Sequence, residues 1–318
     1  MSAVSKPFEL PEDRKQLLQR AKRVEWASIG ALLSIVLLLG FTMGASQTMK
    51  AMWMEDTLSL IPSTAFLIGA HFRGKPPDED FPYGYRRAVL IAFLCGSVAL
   101  FGLGVYMLGD SVWKLIEGQH PTIQTIGIFG HRIWLGWVMM AALVYSVIPP
   151  MILGRMKLPL ARDLQDKALQ ISATLDKGDW LSGIAGALGI LGIAFGYWWA
   201  DPVAAGFISL EIVKDGFENL RNSVEQLMNK RPSDVENKEP DPVPDRVEEA
   251  LRKLDWVAQA KVRLREDGDV LSGEAFVVPR QEEGLLEKCQ EAMQTAEAVD
   301  WRLHDINIVP VRRDSNYA

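Results

Sequence analysis

The sequence predicts an α-helical membrane protein with six transmembrane helices and a small cytoplasmic α+β domain at its C-terminal end. Three observations lead to this prediction: long uncharged apolar runs, an alternation of basic and weakly basic connections, and a polar tail with strand-like patterns. Of the 318 residues, 48% are hydrophobic and 23% are charged. These averages conceal a segregation, because residues 28–210 hold most of the apolar side chains and both ends of the chain are highly charged.

Apolar runs of the required length predict the membrane-spanning helices. A helix needs about 20 apolar residues to cross the hydrocarbon core of a bilayer. Four runs meet this length without a charge: Ser28–Ser46, Val89–Gly109, Ile133–Gly154 and Trp180–Ala200. Met52–Phe72 is apolar apart from Glu55, Asp56 and one histidine, and Pro202–Phe217 carries charges only in its second half. Counting these two spans as well gives six helices.

The basic residues predict which side of the membrane each connection occupies. Lysine and arginine are concentrated in residues 1–25, in the connection 73–87 and in the connection 155–167. The alternate connections carry few of them. Because basic connections remain in the cytoplasm, both termini are expected there, which requires an even number of helices. We expect the cell membrane as the location (the inner membrane in a Gram-negative cell), with residues 1–25 as a cytoplasmic arm.

The C-terminal part predicts a separate small domain after the membrane domain of residues 26–228. Residues 229–244 are polar and rich in proline, which is typical of a linker. Residues 245–318 then show the pattern α-β-β-α-β, which predicts a ferredoxin-like sheet covered by two helices. The predicted elements are Asp245–Leu254, Ala260–Arg265, Gly273–Val278, Gln281–Ala298 and Arg302–Val311.

Composition and motifs exclude several classes of function. The two cysteines, Cys95 and Cys289, form neither a disulfide framework nor a metal-binding spacing. The net charge of −6 lies largely in the tail, so the sequence does not predict a basic surface that would bind nucleic acid. No nucleophile elbow, P-loop or zinc-enzyme motif is present. We therefore expect neither an enzyme nor a bound cofactor.

Acidic residues at membrane depth are the candidates for function, because ionisable groups there are costly. Glu55 and Asp56 lie in the second span, and Asp176 and Asp179 lie just before the fifth apolar run. The spacing of three places Asp176 and Asp179 on one helix face. Two acidic pairs on different helices offer several oxygen ligands to a hard divalent cation such as Mg²⁺ or Mn²⁺. These four residues are the predicted metal ligands.

Structural alternatives exist for each candidate. Glu55 and Asp56 are also compatible with a position at the outer membrane interface. Asp176 and Asp179 are compatible with the N-terminal cap of the fifth helix, where carboxylates are favoured. Glu211 and Asp215 are expected to reach water near a helix end. Pro62 predicts a kink in the second span, since proline removes a backbone hydrogen bond.

Residues 74–88, 199–202 and 219–232 resemble segments of the cation diffusion facilitator family, of which the chain looks like a divergent member. Residues 74–88 (GKPPDEDFPYGYRRA) resemble the family's loop after the second helix, which usually runs PPDExHPYGHGRAE. Residues 199–202 (WADP) match the typical turn before the sixth helix, and residues 219–232 resemble the exit from that helix. With the helix number and the tail pattern, the resemblance covers nearly the whole chain.

The resemblance implies a dimeric antiporter that exports divalent transition metals in exchange for protons. Family members bind the cargo through paired ligands in the second and fifth helices. Counted from Pro76, the second-helix pair falls on Glu55 and Ser59. Counted from Asp201, the fifth-helix pair falls on Leu175 and Asp179, so Asp56 and Asp176 are each one residue from a family position.

The predicted function is therefore proton-coupled efflux of a divalent cation by a homodimer embedded in membrane lipid. The candidate site lacks the histidine that favours zinc, so Mn²⁺ or Fe²⁺ should be carried at least as well as Zn²⁺. The alternative is a transport-inactive relative that acts as a membrane scaffold or partner protein. The transport hypothesis requires that the side chains of Glu55, Asp56, Asp176 and Asp179 lie close together in the structure, whereas the scaffold hypothesis does not.

Overall fold

A computed structural model describes residues 10–72, 75, 77–118, 123–128 and 131–312, without the side chains of residues 126–128, 131–133 and 177–179. Most of the chain is helical. The helices of the N-terminal part are α1 (Glu12–Thr42), α2 (Gln47–Leu58), α3 (Leu60–Phe72), α4 (Ala88–Glu117), α5 (Leu135–Leu164), α6 (Lys167–Ala194) and α7 (Ala200–Leu227). A short hairpin of β1 (Thr125–Ile128) and β2 (His131–Trp134), which the sequence did not predict, precedes α5.

The second apolar span is broken near its middle. Helix α2 ends at Leu58 and α3 begins at Leu60, with a turn at Ser59 between them. Pro62 lies in the first turn of α3 and has no N–H to donate to the carbonyl of Leu58. The interruption lies where Pro62 removes this hydrogen bond, and the kink predicted there stays a prediction. Ser59 itself is buried.

Close helix contacts hold the bundle together. Helix α5 packs along α6 and α1, and α4 packs along α7. The contact between α4 and α7 depends on Gly216, because a Cβ atom at this position would lie 2.7 Å from the backbone nitrogen of Phe101. Small residues allow such close approach of helix backbones in membranes.

The outer surface of the helical part is apolar. Phe41, Ile116 and Phe195 are among its most exposed side chains, at 86%, 74% and 76%. Apolar exposure on this scale indicates contact with a membrane or partner. Within the described residues, α1, α4 and α5 are long and apolar enough to cross a membrane by length and composition. The count of six spans stays a prediction, because α2 and α3 are separate short helices and the described residues of α6 and α7 do not meet this criterion.

The C-terminal elements follow one another in the predicted α-β-β-α-β order. They are α8 (Val243–Arg252), β3 (Val257–Asp267), β4 (Val270–Pro279), α9 (Leu285–Glu297) and β5 (Leu303–Pro310). Strand β4 is central, antiparallel to β3 and parallel to β5. Apolar residues of α8 and α9 form one buried core with the strands, including Val247, Leu251, Ala275, Ala292 and Ala296.

The turn between β3 and β4 contacts the helical part. Lys167, the first residue of α6, forms an ion pair of 2.7 Å with Glu266. Arg87, just before α4, forms a second ion pair of 2.7 Å with Asp267. Gly268 has a φ of +71° and lies against the backbone carbonyl of Arg86, a position that disfavours any side chain. The C-terminal unit is thus joined to the helices at their predicted cytoplasmic ends.

Three helix boundaries differ from those that the apolar runs predicted. Helix α1 begins at Glu12, so Glu25 of the predicted arm lies inside a helix. Helix α5 continues to Leu164, so Lys157 of the predicted connection is also helical. Helix α6 begins at Lys167, so Asp176 and Asp179 are not an N-terminal cap. Apolar runs end at the first charge, whereas a helix continues wherever that charge finds a partner or reaches water.

Candidate metal site

A cavity of about 550 Å³ lies between α2, α6 and α7. Glu55 and Ser59 line it from the end of α2, and Thr174 and Leu175 line it from α6. The cavity continues to Arg162 at the end of α5 and to residues 235–238 of the linker. It therefore extends from the interior of the bundle to the side on which the basic connections are predicted to face the cytoplasm.

One buried hydroxyl joins two carboxylates at this cavity. Ser182 of α6 is fully buried, and its Oγ lies 2.9 Å from Glu55 Oε1 and 3.2 Å from Glu211 Oε2. A hydroxyl carries one proton, so Ser182 donates to only one of these oxygens at a time. The two carboxylates come from α2 and α7, and both approach the same atom of α6. Small side-chain rotations would let both reach one cation with bonds of about 2.0–2.6 Å.

Helix α7 contributes a further acidic residue to the cavity. Glu211 and Asp215 are four residues apart, so they lie on the same helix face, and both line the cavity. The expected position at a helix end is wrong, because α7 continues to Leu227, and both residues are partly exposed at the cavity instead. They were not among the ligands predicted from the sequence, although their spacing of four on one helix face could have indicated them.

Asp176 lies in a different environment. Its side chain is 2% exposed, and its Oδ2 accepts a hydrogen bond of 2.7 Å from Lys157 Nζ. Lys157 is fully buried, and its Nζ also lies 3.0 Å from Glu25 Oε2. Asp56 is 2% exposed on α2. Among the described side chains that line the cavity, neither Asp176 nor Asp56 is present, so the four predicted ligands do not all meet there.

The positions assigned by family resemblance fall together. Glu55, Ser59 and Leu175 line the same cavity, and the Ser59 hydroxyl donates a hydrogen bond of 3.0 Å to the carbonyl oxygen of Glu55. Asp179, the fourth position, belongs to α6, but its side chain lies outside the described residues. Among the side chains that are described, no group of three His, Cys, Asp or Glu residues is arranged to hold a metal.

A second polar network closes the other end of α2. Asp201 of α7 is fully buried, and its carboxylate accepts hydrogen bonds from Ser46 Oγ at 2.6 Å, Gln47 N at 2.7 Å and Thr48 N at 3.2 Å. These groups form the N-terminus of α2, where unpaired backbone N–H groups favour an anion. Asp201 therefore fixes the start of α7 against the start of α2.

These features define a multi-pass membrane protein with half-buried acidic residues around an internal cavity. Residues 26–228 match the cation efflux transmembrane domain, so the chain belongs to the cation efflux family. The suspected membership is confirmed.

Similar proteins include two metal transporters of Bacillus subtilis. The manganese efflux system protein MneS is 28% identical over 218 residues, which cover 68% of this chain and 71% of that protein. The manganese efflux system protein MneP is 25% identical over 70% of this chain and 72% of its own length. The magnetosome protein MamB of Paramagnetospirillum magneticum is 24% identical over 65% of this chain and 67% of its own length.

Proposed function

We propose that this chain exports divalent metal ions in exchange for protons, and that the ion binds at Glu55, Glu211 and Asp179. The observation that carries the proposal is the approach of Glu55 and Glu211 to the single hydroxyl of Ser182 beside the cavity. Two half-buried carboxylates from different helices repel each other when both are charged, and a divalent cation between them would remove that repulsion. The transport-inactive alternative has no comparable reason for retaining them.

Asp179 completes the proposed site from α6. It precedes Ser182 by three residues, about one helical turn, and it occupies a family ligand position. Asp56 and Asp176 are left out of the site, since neither lines the cavity among its described side chains and Asp176 is paired with Lys157.

The ligand set favours a hard cation. Carboxylate and hydroxyl oxygens suit Mn²⁺ and Fe²⁺ at least as well as Zn²⁺, which prefers sites containing imidazole or thiolate. The names of MneS and MneP, both manganese efflux system proteins, support Mn²⁺ as a cargo. We expect broad selectivity in which Zn²⁺ has no advantage.

Exchange with protons follows from the same ligands. A carboxylate must lose its proton before it binds a cation, so proton and metal compete for the site. The cavity extends toward the predicted cytoplasmic side, while the Asp201 network holds the opposite end of α2 closed. The described conformation is thus suited to accepting a cytoplasmic ion.

The test is Mn²⁺ uptake by inside-out proteoliposomes under an imposed pH gradient. Glu55→Gln, Glu211→Gln and Asp179→Ala should each reduce flux at least about tenfold, since each removes a charged ligand. Asp110→Asn is the control, because Asp110 is an acid of α4 that pairs with Lys114 at 2.6 Å and is not part of the described cavity lining. Full flux in the Glu55→Gln and Glu211→Gln variants would contradict the proposed site. Absence of flux in the wild type would favour the scaffold alternative.

We further propose that the protein is a homodimer in the cell membrane with both termini in the cytoplasm. Cys289 on α9 is partly exposed, so an impermeant maleimide should label it in inside-out vesicles and not in intact cells. Truncation within residues 229–244 should weaken dimerisation, so that the detergent-solubilised particle shifts from the mass of two truncated chains to that of one; an unchanged dimer would argue against this role of the C-terminal domain. Labelling of Cys289 in intact cells would show that the C-terminal domain faces the outside of the cell, which contradicts the proposed orientation.

A further inference from the structure

A buried ion cluster lies outside the proposed metal site. It contains Lys157 of α5, Asp176 of α6 and Glu25 of α1, which are 0%, 2% and 0% exposed. Lys157 Nζ donates hydrogen bonds to Asp176 Oδ2 at 2.7 Å and to Ser172 Oγ at 2.8 Å. Ser172 lies 3.1 Å from Ser63 of α3, so the cluster joins four helices of the bundle.

The charges of this cluster do not balance. One ammonium faces two carboxyl groups, so two ionised carboxylates would leave an uncompensated negative charge inside the bundle. A buried unpaired charge costs several kcal/mol, and such groups usually become neutral instead. One bound proton removes the imbalance without moving any helix.

Glu25 is the group that would hold this proton. Asp176 receives a hydrogen bond from Lys157, whereas Glu25 Oε2 lies 3.0 Å from Lys157 Nζ without the geometry of a hydrogen bond. Both carboxyl oxygens of Glu25 are buried and have no hydrogen-bond partner in the described part of the chain. A neutral carboxylic acid tolerates such surroundings better than a carboxylate does.

We propose that Glu25, with Lys157 and Asp176, forms a proton-binding site separate from the metal site. The proposal rests on the proton exchange proposed above. Glu25 is sealed from water in this conformation, so its proton leaves only when α1, α5 and α6 rearrange and water reaches the carboxyl group. The proton then passes from the Glu25 carboxylic acid to water, and the remaining carboxylate pairs with Lys157.

The position of the cluster links it to the metal site through one helix. Asp176 precedes Ser182 by six residues on α6, which corresponds to about 9 Å along the helix axis. Asp176 is the closer of the two to the start of α6, on the predicted cytoplasmic side. A movement of α6 that closes the cavity would therefore also disturb the contact between Asp176 and Lys157, which couples the two sites mechanically.

The experiment measures proton release during Mn²⁺ transport in proteoliposomes that hold the full chain and a pH-sensitive dye. In the Glu25→Gln variant we expect an unchanged Mn²⁺ affinity, a ratio of protons to metal lowered by about one, and a weaker stimulation by a pH gradient. Glu12→Gln is the matched control, because Glu12 is an exposed glutamate of the same helix. An unchanged proton-to-metal ratio in Glu25→Gln would overturn the proposal.

Two further measurements distinguish failure of this inference from failure of the variant to fold and from failure of the proposed proton exchange. If Glu25→Gln fails to fold, Glu25→Asp retains an acid and should shift the pH midpoint of transport; an identical midpoint would count against a proton site. If the wild type carries Mn²⁺ without moving protons, both the proton exchange and this inference fail. If the wild type moves protons and Glu25→Gln moves as many, the inference alone fails.

Discussion

Replacement of Asp201 by alanine should destabilise the protein strongly. The Asp201 carboxylate accepts three hydrogen bonds, from Ser46, Gln47 and Thr48, and is fully buried. Each hydrogen bond to a charged group contributes about 1.5–3 kcal/mol. Because all three share one carboxylate, their losses do not add, and we expect a total loss of about 3–5 kcal/mol.

The assay is thermal unfolding of the purified protein in detergent. For a chain of 318 residues, a loss of this size corresponds to a decrease in apparent Tm of about 5–8 °C. Ser46→Ala removes one of the three hydrogen bonds and also the N-terminal cap of α2, in which Ser46 Oγ accepts a hydrogen bond of 3.2 Å from Met49 N. It should lower the Tm by less than Asp201→Ala, and the double variant should lose less than the sum of the two single losses. An Asp201→Ala protein with the wild-type Tm would refute the argument, as would strict additivity of the two substitutions.

Two further predictions concern packing and pH. Gly216→Ala should lower the free energy of unfolding by about 1–3 kcal/mol, since its Cβ would meet the Phe101 backbone at 2.7 Å. Gly102→Ala on α4, where no atom lies within 4 Å of the new Cβ, should be neutral or stabilising in the same unfolding assay, and equal losses would contradict the packing argument. The pKa of Asp267 is lowered from 3.8: burial alone would raise it, but the Ser272 hydroxyl and the Arg87 guanidinium outweigh burial. The ion pair of Asp267 therefore stabilises the fold at every pH above the ordinary pKa of the carboxyl group, and this stabilisation is lost only as the pH falls below that value. Hydrogen exchange of the backbone amides in the β3–β4 turn should stay slow from neutral pH to about pH 4. Faster exchange well above pH 4 would contradict this prediction.

Some of the structure follows from local sequence. The break after Leu58 could be predicted because Pro62 lacks an N–H whatever surrounds it. The order of elements in the tail could be predicted from alternation and turn residues, which act over short distances. Glu55 was identified because an acid within an apolar span requires a compensating environment, and it does line the cavity.

The partners of the charged residues could not be predicted. Glu25 and Lys157 were assigned to an arm and a connection, since a charge near the end of an apolar run usually reaches water. Their burial depends on α1, α5 and α6 packing together, which is a tertiary property. For the same reason the sequence could not show that Asp176 faces Lys157, or that Glu211 shares Ser182 with Glu55.

Anomalous diffraction from crystals grown with Mn²⁺ tests the location of the metal site most directly. The proposed site predicts a single strong peak in the membrane domain, within about 2.0–2.6 Å of carboxylate oxygens of Glu55 and Glu211. The peak should disappear in crystals of Glu55→Gln and persist in those of Glu25→Gln. A peak at Asp56 or Asp176, or an Mn²⁺-loaded protein with no peak beside Glu55, would contradict the account.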